Sequence, residues 1–218
     1  MQWIGGVGII VMALSILPVL QVGGMQVFRT ESSDTTDKIL PRTTQIASAV
    51  IFIYLSLTLS CFILYWFFGM SIFDSFAHSM TTIATGGFST KNGSIGEFNS
   101  VGIEYTSAIF MILSSLPILI YLKFYKQQIK EVFLDTQIIT FLFIILISSL
   151  AIIFYLWIND LKNLSDAFRF GFVNVISIIT GTGYTTDNYN LWGPFPIYLL
   201  FFGMFIGCLL YTSDAADD

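Results

Sequence analysis

Long uncharged apolar runs, broken by short polar strips, dominate the chain. Five runs approach the roughly 20 residues that a helix needs to cross the hydrocarbon core of a bilayer. They are Trp3–Val22, Ala47–Phe68, Tyr105–Leu122, Ile138–Ile158 and Phe195–Tyr211, the last being the shortest. Pro18 and Pro117 fall inside spans, where neighbouring helices satisfy the freed carbonyl. Two further apolar pieces, Ser75–Ile83 and Phe170–Ile179, are too short to cross. Each lies between two spans and runs into a polar, glycine-containing strip: TTIATGGFST at 81–90 and SIITGTGYTT at 177–186. The pattern predicts a short helix that enters the membrane, turns and leaves on the same side. Non-helical backbone at membrane depth is tolerated only where protein or a water-filled cavity satisfies it.

The two strips are one motif used twice. A shift of 96 residues lays Gly87 on Gly183, Phe76 on Phe172, Ile83 on Ile179 and Thr90 on Thr186. The same shift lays Phe88 on Tyr184 and Ser89 on Thr185. The order of elements repeats as well: span, short helix, polar strip, span. One run of small residues would read as a helix-packing face. Two runs at matching places, each behind a short helix, predict two helix–pore loop–helix units with one further span ahead of them. Gly5, Gly6 and Gly8 in WIGGVGIIV lie within a full span and read as a packing face.

Composition agrees with the pattern. Of 218 residues, 55% are hydrophobic and 11% charged, with 22 Phe and a mean hydropathy of +0.79. Soluble domains carry about 25% charge, so the chain reads as an integral membrane protein. The net charge of −5 owes three acids to the last five residues, Asp214, Asp217 and Asp218, leaving nine basic residues against eleven acids elsewhere. Nothing in this balance points to nucleic acid. Cys61 and Cys208 sit inside apolar runs and read as buried thiols. MQWIGGVGII begins without a basic region, unlike a secretory signal, and reads as the interior of a longer protein. Arg29, Lys38, Arg42, Lys123, Lys126 and Lys130 lie on one side of the predicted spans, and Lys91, Lys162 and Arg169 on the other. By the positive-inside rule the first group is cytoplasmic and both strips open outward. The amphipathic KQQIKEVFLD reads as an interfacial helix.

The strips suit a cation that must shed its water. Backbone carbonyls replace the hydration oxygens without adding net charge, so the ion can leave again. Glycine reaches positive φ without a Cβ clash and lets successive carbonyls turn the same way. The helix before each strip ends in unpaired carbonyls that favour a nearby cation. The strips hold no carboxylates; the nearest acids are Asp74, Glu97, Asp166 and Asp187. That favours a monovalent ion over calcium. The single histidine, His78, falls on the first short helix and reads as a polar group satisfied by its neighbours. A membrane-embedded enzyme would need clustered catalytic groups within the spans, and the five runs contain no acid.

TTIATGGFST, SIITGTGYTTDNY, QWIGGVGIIVMALSILPVL and GGMQVFRTE resemble the TrkH/KtrB family of potassium transporter subunits, over roughly residues 1–207. The resemblance implies an all-α membrane protein of helix–pore loop–helix units with potassium-channel-like architecture, four units around one ion pathway. Residues 1–45 would close the first unit and add a cytoplasmic loop. Residues 46–135 would form the second unit and 136–207 an incomplete third. The fragment would then supply two of four filter walls and not conduct alone. The resemblance makes Gly87 and Gly183 the filter glycines. Ala84, Thr85 and Gly86 would offer carbonyls beside the first, and Thr180, Gly181 and Thr182 beside the second. It implies potassium as the transported ion, no organic cofactor, and the bacterial inner membrane as location. It also implies a homodimer regulated by a cytoplasmic nucleotide-binding subunit of the TrkA or KtrA kind. The tail at 208–218, CLLYTSDAADD, departs from the family and is expected to be non-native, with few contacts beyond continuing the last helix. A sodium or other monovalent cation transporter of the same fold stays open, as does a structural membrane subunit without transport.

Overall fold

A computed structural model describes residues 1–5, 39–116, 120–121 and 136–212. Among these residues the protein is all helix and loop. The order is α1 (Ile39–Phe67), α2 (Ile72–Ile83), a 3-10 turn (Ser94–Phe98), α3 (Val101–Ser115), α4 (Thr136–Ile158), α5 (Leu164–Ile179), a second 3-10 turn (Tyr189–Trp192) and α6 (Pro194–Thr212). The first strip follows α2 and the second follows α5. Neither is part of a long helix. The span expected at 3–22 lies outside the described residues beyond residue 5, as do Arg29, Lys38, KQQIKEVFLD and residues 213–218 of the tail; Arg42, expected in the first loop, falls within α1.

The segments Ser48–Phe67 and Thr136–Ile158 are long and apolar enough to cross a membrane. Their outward faces are apolar: Phe52, Leu59 and Trp66 on α1, and Phe143, Leu146 and Phe154 on α4, are each at least half exposed. Such faces match a lipid solvent rather than water. α1 and α3 flank α2, α4 and α6 flank α5, and α3 also packs on α5, joining the two units. Cys61, Tyr65, Ile103, Met111, Ile152, Leu156, Val173 and Ile176 are fully buried between them. Gly171 lets α5 approach α4, since a Cβ there would stand 3.1 Å from Ile153.

Several boundaries differ from the sequence pattern. α1 begins at Ile39 rather than Ala47. α2 begins at Ile72 rather than Ser75. Its N-cap is Ser71, whose Oγ accepts from the Asp74 amide at 3.1 Å. α5 begins at Leu164 rather than Phe170, behind Asn163, with Asp166 in its first turn. A helix starts at its polar cap, and an apolar-run count misses that turn. The span expected at Tyr105–Leu122 also changes. Its helix starts at Val101 and ends at Ser115, with Leu116 extended at φ −72° and ψ 141°. Leu116 precedes Pro117, whose ring disfavours the helical conformation for the residue before it. The earlier start brings Glu104 inside the helix, so the spans do hold one buried acid.

Candidate functional site

Both short helices end the same way. The N–H of Ala84 bonds back to Met80 and Thr82, and that of Thr180 bonds back to Ile176 and Ile178. These pairs match under the 96-residue shift. The chain then changes hand in step. Thr85 has φ +48° and Gly87 +66°, while Gly181 has +73° and Gly183 +85°. Gly86 and Thr182, between them, are not left-handed. Ala84 and Thr180 lead in at φ −79° and −74°. Alternating hand turns successive peptide planes the same way, gathering N–H groups on one face and carbonyls on the other.

The hydrogen bonds follow that division. The amides of Thr85 and Gly86 bond to Thr82 and Thr81 carbonyls at 3.1 and 2.8 Å, and those of Gly181 and Gly183 bond to Ile178 and Ser177 at 3.1 Å each. Among the described residues no hydrogen bond ends on the carbonyls of Gly86, Gly87, Gly181, Thr182 or Gly183. Four strip amides are thus tied to the short helices, and these five carbonyls are free to accept, while the Ala84 carbonyl already accepts from Thr85 Oγ1 at 2.8 Å.

The strips meet each other. A Cβ on Gly87 would overlap the Thr182 carbonyl oxygen and come within 2.9 Å of its carbon. Among the described residues nothing stands where a Cβ on Gly181 or Gly183 would lie, so their positive φ is what demands glycine there. The Gln2 side chain lies against Gly86, and Trp3 Nε1 anchors the same turn by donating to Thr58 Oγ1 at 3.1 Å.

Side chains behind the strips complete the site. Tyr184, buried to 1% exposure, reaches from the second strip into the unit that carries the first. Its hydroxyl lies 2.6 Å from Thr81 Oγ1 and 3.1 Å from Thr82 Oγ1. Thr81 Oγ1 in turn reaches the Phe88 carbonyl at 2.9 Å. Proton count favours Tyr184 donating to Thr81 and Thr81 donating to Phe88, since each hydroxyl has one hydrogen. Tyr65 and Thr82 Oγ1 are 2.9 Å apart behind them. The 3-10 turn at Ser94–Phe98 grips the second strip as well. Thr185 N donates to Ser94 Oγ at 3.2 Å, and Gly96 N donates to the Thr185 carbonyl at 3.0 Å.

His78 is fully buried, bonded through Nδ1 to the Asp74 carbonyl and through Nε2 to Ser89 Oγ, each at 2.8 Å. It is satisfied by its neighbours, as its place on the helix suggests. The ion pair between Glu104 on α3 and Arg169 on α5 escaped sequence reading. Nε and one terminal nitrogen of Arg169 donate to the two carboxylate oxygens at 2.6 and 2.7 Å, and the Glu104 side chain is 1% exposed. Only its position one residue before the predicted span hinted at it. In the first turn of α2, Asp74 is held below the usual carboxylate range by hydrogen bonds from Thr90 and Ser71. Burial works to raise the Asp187 carboxyl, but hydrogen bonds from Lys162 and Trp192 outweigh it, and the group titrates below its ordinary range.

Paired short helices, each ending in a strip of alternating hand between longer apolar helices, define an all-α membrane protein of repeated helix–pore loop–helix units. The chain belongs to the TrkH family of cation transport proteins, which it matches over residues 1–212. It is 38% identical over 208 residues to the Trk system potassium uptake protein TrkI of Halomonas elongata, covering 95% of this chain and 42% of that protein. It is 37% identical over 215 residues to TrkH of Vibrio parahaemolyticus, covering 95% and 44%. The crystal structure of the Vibrio parahaemolyticus potassium transporter TrkH superposes with a TM-score of 0.77 at 34% identity, covering 93% of this chain and 41% of that one. The chain therefore spans less than half the length of these relatives.

Proposed function

We propose that these residues form two walls of a potassium uptake pathway. The second and third helix–pore loop–helix units of a four-unit transporter would occupy 46–135 and 136–207. Potassium would pass as the substrate, taking backbone carbonyls of Ala84, Thr85, Gly86 and Gly87 and of Thr180, Gly181, Thr182 and Gly183 in place of water. The observation that carries this reading is the matched alternation of hand at 85/87 and 181/183, with free carbonyls beyond it. Neutral carbonyls suit an ion that must enter and leave, whereas a carboxylate ring would hold it harder. The strips would open to the outside of the bacterial inner membrane. The relatives' names place them in a Trk system; assembly as a homodimer with a cytoplasmic nucleotide-binding subunit rests on the family resemblance alone.

The test is rubidium and sodium uptake by a potassium-uptake-deficient strain carrying the protein expressed from its own genomic reading frame. Rubidium uptake and growth at limiting potassium are expected. Sodium uptake in preference to rubidium would assign the protein to another monovalent cation. Absence of any uptake by protein that reaches the membrane would leave a structural subunit.

A further inference from the structure

His78 and Asn174 hold the same place in the repeat, 96 residues apart, and do the same work with different chemistry. Each bonds one helical turn back along its own short helix: His78 Nδ1 to the Asp74 carbonyl and Asn174 Nδ2 to the Phe170 carbonyl, both at 2.8 Å. Asp74 and Phe170 are themselves equivalent positions. Each also bonds to the outer end of its strip. His78 Nε2 meets Ser89 Oγ at 2.8 Å. Asn174 Nδ2 donates to Thr186 Oγ1 at 2.6 Å, and its Oδ1 accepts from the Thr186 amide at 3.2 Å. Both side chains are fully buried.

The proton positions follow from the partners. A carbonyl only accepts, so Nδ1 of His78 carries the hydrogen and Nε2 is the bare nitrogen. Ser89 must then donate to Nε2 while its oxygen accepts from the Lys91 amide at 3.1 Å. The result is a directed chain: Lys91 amide to Ser89 hydroxyl, Ser89 to imidazole, imidazole to the Asp74 carbonyl. Asn174 needs no such relay, because an amide offers both donors and an acceptor at once.

We propose that His78 and Asn174 are matching positioning residues, each fixing the outer end of its strip to the short helix and so setting the carbonyl geometry at Gly87 and Gly183. The free carbonyls between helix end and tether cannot both relax and keep their alternation. Ser89 lies two residues beyond Gly87, and Thr186 three beyond Gly183, so a loosened tether lets the glycine turn. This inference rests on the strips acting as an ion filter.

Its test uses ion preference in the protein expressed from its own genomic reading frame. Ser89→Ala, which deletes one hydroxyl, and His78→Leu are expected to lower rubidium preference over sodium about fivefold, the effect of one hydrogen bond on an equilibrium. His78→Asn, which places the amide of the other unit here, is expected to recover most of the preference. Asn174→Leu should act like His78→Leu. Wild-type preference in Ser89→Ala and Asn174→Leu protein at normal membrane levels would overturn the proposal. Nitrogen-labelled histidine, with the His78 signal assigned by its loss in His78→Asn, supplies a readout independent of transport. Potassium, but not sodium, is expected to shift the Nε2 resonance of the wild type and not that of Ser89→Ala. If the wild type carries no ion, the uptake reading fails alone and this resonance decides the tether: no potassium-dependent shift overturns it.

Discussion

The Thr182 carbonyl oxygen fills the place where a Cβ on Gly87 would stand. A residue of one strip thereby dictates glycine in the other. Gly87→Ala meets both this backbone clash and a positive φ of +66°, whereas Gly183→Ala meets the φ alone. The left-handed conformation costs a side chain about 1–2 kcal/mol, and a clash against backbone adds to it because neither chain can step aside. Rubidium uptake is expected to fall further in Gly87→Ala than in Gly183→Ala at equal membrane levels. Equal uptake by the two variants would contradict the contact.

Serine at position 183 tests selectivity separately from folding. Gly183→Ser has room for the side chain but not a comfortable backbone, so it should reach the membrane and lose rubidium preference several-fold, the scale of about 1 kcal/mol. Thr186→Ser keeps the hydroxyl that Asn174 holds and should leave preference unchanged. Parallel uptake of rubidium and sodium in the two variants distinguishes them.

Glu104 and Arg169 join α3 of one unit to α5 of the next. Removing one partner of a buried pair strands the other charge and costs roughly 3–5 kcal/mol. Arg169 keeps some contact with water, its side chain being 15% exposed, so Glu104→Ala is expected near the lower end. Arg169→Ala leaves the more deeply buried carboxylate stranded and should cost more. Denaturation midpoints in detergent for the two variants check the order.

Tyr184→Phe keeps the buried ring and deletes the hydroxyl that bridges Thr81 and Thr82. A loss of about 1 kcal/mol is expected, the net worth of a typical hydrogen bond. Phe88 occupies the equivalent position and is 67% exposed, so Phe88→Tyr should be neutral. A thermal unfolding series with both variants measures the asymmetry.

The Lys162–Asp187 pair, 2.8 Å apart, gives the outer loop an acid-sensitive contact. Its carboxyl titrates below the ordinary 3.8 in the folded protein. A depressed carboxylate pKa adds stability that is fully present above about pH 4 and fades as pH falls through the lower folded value. Lys162→Met should lower the melting temperature at neutral pH and flatten its decline below about pH 4. An unchanged acid limb would show that Asp187 does not contribute.

Much of the architecture was legible in one dimension. Apolar run length located α1, α4 and α6, because a helix that faces lipid needs an uninterrupted apolar surface. The 96-residue shift located both strips, and the short helices before them, because repeated units keep their spacing. The starts of α2 and α5 were missed by three and six residues, since polar caps carry no hydropathy signal. The break at Leu116 was readable from Pro117 but was overridden by the apolar run around it. Asn174 was visible too, in register with His78, though nothing in its residue type announced a tether.

Sequence alone therefore determined the class, the family, the repeat and the residues of both strips. Those follow from local composition and from spacing along the chain. Only the tertiary structure decided which strip residues turn left-handed, that Thr182 stands against Gly87, and that Tyr184 crosses to Thr81. It alone showed Glu104 buried against Arg169, 65 residues away. Such contacts depend on where separate helices come to lie. Burial, which makes a hydrogen bond or an ion pair matter, is a property of neighbours that the chain order does not encode.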